Sequence, residues 1–355
     1  MSDTKPPRAR AVRRPHAARE PLLIDLALQG GGSHGAFTWG VLDRLLEEEW
    51  LTIEAISGTS AGAMNAAVMA YGHMQGGAAG ARAALEAFWK RVSRAAAFSP
   101  LKRGPLDVLL GRWSLDNSPA YVAMDLATRV FSPYDLDLGM PNPLASVLAE
   151  TIDFDALHAA PIKLFITATN VHTGRPRVFR NADVSPAALM ASACLPFMFQ
   201  AVEIDGQAYW DGGYSGNPTM TPLINECCSD DTIIVGINPV ERPGIPKSAR
   251  DILNRLNEVA FNAVLLKELQ MMALLRDVAD PGNEKMKHWA QMRVHLVQSD
   301  LLLTLGASSK LNAEWEFLCL LRDEGRAAAE AFLSEHGPAL GKRSTLPIEY
   351  LMKTD

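Results

Sequence analysis

The stretch "PLLIDLALQGGGSHGAFTWGVLDRLLEEEW", residues 21–50, runs from an apolar segment through three consecutive glycines into apolar residues repeated at helical spacing. That order predicts a strand, a glycine loop and a helix. Gly30, Gly32 and Gly35 also make a formal G-x-G-x-x-G. Such a loop either cradles a dinucleotide pyrophosphate or turns its backbone N–H groups toward another developing negative charge. A second strand is expected over residues 53–60, "IEAISGTS", followed by a helix opening at "AGAMNAAVMAYGHM" and another over residues 78–97. Strand–helix alternation of this kind predicts a mostly parallel central sheet covered by helices, a three-layer α/β/α fold.

The junction after the second strand carries "GTSAG", Gly58 to Gly62, which fits the G-x-S-x-G nucleophile elbow. A serine at the tip of a strand-to-helix turn has no room for neighbouring side chains, so Gly58 and Gly62 suit the positions around Ser60. The following helix points its free N–H groups and positive dipole end at that serine. This weighs against a nucleotide in the first loop. A dinucleotide site wants an acidic residue at the end of the second strand, whereas Glu54 stands at its beginning and "SGTSAG" occupies its end. The alternative is an oxyanion hole built from Gly30, Gly31 and Gly32 with the amide of Ala61.

A serine nucleophile needs a base. His288 and His295 come late enough in the chain, but "MKHWAQMRVHLVQ" has no loop signal around either, and both read as ordinary helix or strand residues. "YWDGGYSGNPTM" is more informative: Asp211 follows the apolar run "AVEIDGQAYW", read as one strand, and precedes Gly212 and Gly213. That pattern presents a carboxylate at a strand end, although a plain Asp-Gly turn has the same appearance.

Charge is unevenly placed. Residues 1–20 hold six basic residues against two acidic ones, a net of +4, and with −6 overall the remainder carries −10. This basic leader has prolines and no apolar core; it reads as a disordered tail rather than an export signal, with weak anchoring to anionic lipid as the sharper alternative. An acidic body argues against nucleic acid as a partner. No run of 18 apolar residues is present, so no membrane span is expected. The four cysteines form no C-x-x-C and no disulfide framework, and a reducing cytoplasm is the expected setting. No metal or other cofactor is suggested. Residues 98–143 are dense in Pro, Gly and aromatics and read as loops and short elements. From residue 248 the chain reads as mostly helical. A helix through "LNAEWEFLCLL" is expected to run to His336, with Gly337-Pro338 as its stop.

Three pieces thus stand in order: "GGGSHG" (30–35), "GTSAG" (58–62) and "DGG" (211–213), with "ALMASACLPFMFQAVEIDG" (188–206) before the last. Together they resemble the patatin-like phospholipases, lipid acyl hydrolases that work with a Ser–Asp dyad and no catalytic histidine. The resemblance covers about residues 23–240 and implies Ser60 as nucleophile, Asp211 as base, and a peripheral contact with a lipid surface. It departs at His34, where the family usually has Arg or Lys, so a titratable group replaces a permanent charge and activity is expected to be pH-sensitive there. Residues 241–355, including "SSKLNAEWEFLCLLRDEGR", resemble the helical extension of bacterial patatin-like proteins; no chemistry is derived from that segment. The expected organisation is a basic tail over 1–20, a catalytic domain over 21–240 and a mainly helical C-terminal region over 241–355 packed on it. The expected activity is ester hydrolysis of lipids. Hydrolysis of a storage polyester or short acyl ester is the nearer alternative, and a non-catalytic nucleotide-binding or scaffold protein the more distant one. The oligomeric state is left open.

Overall fold

The computed structural model describes residues 19–135, 142–278 and 283–349. The basic tail before residue 19, and residues 136–141 of the Pro/Gly-rich stretch, lie outside the described residues.

Eight strands form one mixed sheet: β1 (Leu22–Leu28), β2 (Leu51–Thr59), β3 (Lys163–Asn170), β4 (Pro176–Arg180), β5 (Val202–Ile204), β6 (Gln207–Asp211), β7 (Asp231–Val235) and β8 (Arg293–Val297). Their order is β5-β6-β3-β2-β1-β7-β8, with β4 also paired to β3. The five central strands β3, β2, β1, β7 and β8 are mutually parallel, and β4, β5 and β6 add antiparallel pairings beyond β3.

The central strands are apolar on both faces because both faces are covered. Successive side chains point to opposite sides. Leu26, Leu28, Ile56, Leu164, Ile166, Ile233 and Val235 enter a core under α1 (Gly35–Leu45), α2 (Ala61–Ala95) and the helix Trp315–His336. The residues between them, Ala27, Ala55, Phe165 and Ile234, enter a second core under the helices Thr221–Glu226 and Ala249–Val278. The result is the expected three-layer α/β/α arrangement. Leu265 and Met272 of the helix Ala249–Val278 sit in this second core.

Three local readings are refined. Helix α2 is interrupted by non-helical backbone at Gly76 and Gly77, which separates its first part from the second helix expected near residue 78. The run "AVEIDGQAYW" is not one strand. It is a hairpin, β5–β6, turned at Asp205 and Gly206, both with positive φ (53° and 73°), as a two-residue Asp-Gly connection prefers. The C-terminal region is not only helical: β8 pairs in parallel with β7 and extends the sheet. The helix Trp315–His336 stops at Gly337, as expected.

Candidate active site

The two motif loops leave the C-terminal ends of adjacent parallel strands, where an α/β sheet offers its ligand crevice. Ser60 lies between β2 and α2 with φ 53° and ψ −120°, a strained conformation for a residue with a side chain. The turn is tight enough that a Cβ on Gly62 would collide with the carbonyl of Leu28, which explains glycine there. The Ser60 amide donates to Ser192 Oγ (2.9 Å), and Ser192 Oγ donates to the Thr167 carbonyl (2.6 Å). Ser192 therefore pins the elbow to β3. It comes from the helix Pro186–Ser192, in the segment "ALMASACLPF", which sequence reading matched without assigning it a task.

Asp211 ends β6, paired with Ala168 of β3, and is 1% exposed. Its amide donates to the Cys194 carbonyl (2.7 Å), and its Oδ1 accepts from the Gly213 amide (2.7 Å) across the turn through Gly212. Burial pushes the Asp211 carboxyl up to about 7, against the opposing effects of the Gly213 amide, the nearby Ser60 hydroxyl and the charge of Lys310. Ser60 and Asp211 both line a cavity of about 530 Å³, together with Met64, Trp89, Met124 and Phe197.

The glycine loop crosses the same cavity at Gly31 and Gly32. Gly30 does not act as expected of an oxyanion donor: its amide is already bonded to Asn217 Oδ1 (2.6 Å), and its carbonyl accepts from Asn238 Nδ2 (2.7 Å). The loop is held from below by Gln29, whose Oε1 accepts from the amides of Ile237 and Asn238 (2.9 Å each). Gly32 has φ 58°, and a Cβ there would strike the carbonyl of Lys310. Gly35 begins α1, Gly58 lies in β2, and Ala61 begins α2.

His34 differs most from expectation. It is 2% exposed, and its Nε2 is engaged with Ser309 Oγ (2.8 Å). Burial and the neighbouring Lys310 charge push it down to about 3, so it stays neutral at physiological pH and supplies no titrating cation. The cation in this cavity is Lys310, from the 3₁₀ turn Ala307–Leu311 in the segment from which no chemistry had been derived.

The late histidines are elsewhere. His295 is held between Asp231 Oδ1 and Thr345 Oγ1 (3.0 Å each). His288 approaches Asp230 at 3.5 Å. Neither lines the cavity. Glu54, the only acid near a ribose-binding spacing, is taken up by Lys163 Nζ (2.8 Å) and the amides of Cys228 and Ser229. Among the described residues, no group of three or more His, Cys, Asp or Glu is arranged to hold a metal ion.

The profile of the patatin-like phospholipase family matches residues 26–224, which takes in both strand-end loops and the Asp211 turn. The chain belongs to the patatin-like phospholipase family. By family it is a lipid acyl hydrolase. Two solved structures resemble this patatin-like chain over most of its length. One is VipD from Legionella pneumophila, 15% identical, covering 87% of this chain and 68% of that one with a TM-score of 0.34. The other is the heterodimeric ExoU–SpcU complex from the type III secretion system of Pseudomonas aeruginosa, 20% identical, covering 93% and 65% with a TM-score of 0.31. No curated protein matches the chain. Among the described residues of this patatin-like protein, no helix is long and apolar enough to cross a membrane.

Proposed function

We propose that this protein hydrolyses ester bonds of lipids through a Ser60–Asp211 dyad and an acyl-enzyme. The observation that carries the reading is a serine at a strained strand–helix tip, in the same largely apolar-walled cavity as a buried carboxylate whose proton affinity it lowers. Ser60 Oγ attacks the ester carbonyl and its proton passes to Asp211. The oxygen that becomes negative is received by the amides of Gly31 and Gly32, with Ala61 at the positive end of α2. The leaving alcohol takes the proton back from Asp211, leaving Ser60 acylated. Water then attacks, gives its proton to Asp211, and the acid product departs as Ser60 is reprotonated.

Asp211 suits this work because burial raises its proton affinity toward the operating pH, where a general base is most effective. Met64, Phe88, Trp89, Val92 and Leu305 give the cavity walls the character of an acyl-chain site. Phe197 lines the cavity and is itself 70% exposed, while Leu126, on the helix that carries Tyr121 and Met124 into the cavity, is 58% exposed. An apolar rim of this kind favours contact with a lipid surface, consistent with a cytoplasmic, peripherally bound enzyme.

The test is a panel of phospholipids and simple chromogenic esters assayed with wild type and Ser60→Ala, alongside labelling by a fluorophosphonate. Hydrolysis and labelling should both disappear in Ser60→Ala. Undiminished hydrolysis in that variant would remove the serine mechanism.

A further inference from the structure

Lys310 is a charge in the cavity that the acyl-transfer steps above do not use. It arrives on the turn Ala307–Leu311, which lies against the glycine loop: Ser309 Oγ meets His34 Nε2, and the Lys310 carbonyl packs on Gly32. Its Nζ donates to Asn238 Oδ1 (2.7 Å), and the same Asn238 amide donates to the Gly30 carbonyl. The ammonium stands 5.9 Å from the centre of the Phe261 ring, and that ring packs on Gly213, whose amide binds Asp211. Among the described residues, Asn238 Oδ1 is the one hydrogen-bond acceptor that Nζ meets, so two of its three N–H groups remain for the cavity.

A buried carboxylate reverts to its neutral form unless an opposite charge or hydrogen bonds hold it ionised. The charged groups around Lys310 are Asp211, Glu258 and Arg242, with neutral His34 beside it. Glu258 already has Arg242 at 2.6 Å and Arg255 at 3.1 Å. Asp211 has no such arginine; beside it stand Ser60, Tyr214 and Cys194, the last two held protonated.

Resting on the Ser60–Asp211 reading, we propose that Lys310 is a positioning residue of the site: its ammonium favours the ionised form of Asp211 across the shared cavity while its contacts with Asn238 and Gly32 hold the oxyanion loop. The direction of the titrations agrees. Lys310 lowers the proton affinity of Asp211, and Asp211 raises that of Lys310, which burial otherwise pushes down to about 8. With Asp211 at about 7, both are charged between about 7 and 8.

The experiment is a pH profile of kcat/KM on a soluble chromogenic ester for wild type, Lys310→Gln and Lys310→Arg. Gln keeps a donor for Asn238 but removes the charge. Its acid limb should move up by roughly half a pH unit, less than the one to three units of a directly paired charge, because Lys310 and Asp211 share the cavity without forming an ion pair. That makes a loss of about threefold at pH 6.5, with activity near wild type at pH 9. Arg should leave the acid limb close to that of wild type. If Gln fails to fold, Lys310→Met repeats the charge loss with an apolar stem. An acid limb that stays in place in the neutral variant overturns the proposal, whether or not activity falls evenly at all pH values. Ser60→Ala and Asp211→Asn run alongside separate the two ideas: full activity in either sinks the dyad, whereas an unmoved limb with both inactive sinks Lys310 alone.

Discussion

Ser192 Oγ bridges the amide of Ser60 to the carbonyl of Thr167, so the backbone of Ser60 is tied to the next strand by a single hydroxyl. Replacing it by alanine leaves a buried N–H and a buried carbonyl unsatisfied, each at a cost of about 1–3 kcal/mol. Ser192→Ala should melt at a lower temperature than wild type and turn over substrate roughly ten- to a hundredfold more slowly, because a loosened elbow misplaces Ser60 Oγ. Calorimetry together with steady-state hydrolysis checks this. Unchanged values in both would mean that the elbow holds its conformation without Ser192.

Asp211→Asn keeps the shape of the side chain and an acceptor for Gly213 but cannot take a proton. Turnover is expected to drop by about a hundredfold or more, the usual contribution of a general base. His295→Gln should leave turnover within a few-fold of wild type, since that ring is engaged with Asp231 and Thr345 away from the cavity. The reverse ranking, with His295→Gln inactive and Asp211→Asn active, would identify a Ser–His enzyme instead.

The pH dependence follows from the raised Asp211. Below about pH 7 its carboxyl is protonated and cannot accept the Ser60 proton; above that it can. In wild type, kcat/KM should therefore climb through pH 7 and level off. A climb centred near pH 4, where an exposed carboxyl titrates, would mean that the site is open to water in solution.

His34→Arg tests the reassignment of charge. The resemblance puts an arginine or lysine at this position. In the folded protein an arginine places a second cation in a buried pocket beside Lys310 and removes the Ser309 contact. An unpaired buried charge costs several kcal/mol, so the variant should be markedly less stable in urea unfolding. His34→Gln, which can still bond Ser309, should lose less. Equal stability of His34→Arg and wild type would place the ring at the surface.

The local elements were legible because their signals are local. The apolar run before Gly30, the helical spacing after Gly35, the "GTSAG" junction and the stop at Gly337-Pro338 each depend on residues close in sequence, and β1, β2, α1 and the last helix follow from them. The Asp205-Gly206 turn was equally local, but the apolar residues on both sides let it pass as one strand. Nothing local told that β8 would join the sheet, because "RVHLV" becomes a strand by pairing with β7, some sixty residues earlier. The site divides the same way. Ser60, Asp211 and the glycines are set by motifs with fixed spacing. The polar groups that hold them, Gln29, Ser192, Asn217 and Asn238, carry no spacing signature and acquire their roles only when distant strands meet. Charge divides most sharply: a histidine in the motif marks the loop as titratable, yet burial drives its proton off. The cation of the site enters on Lys310, 276 positions away from His34, because the turn Ala307–Leu311 packs across the glycine loop. A sequence records which side chains can ionise; which of them do depends on the water and charges that folding removes or brings near.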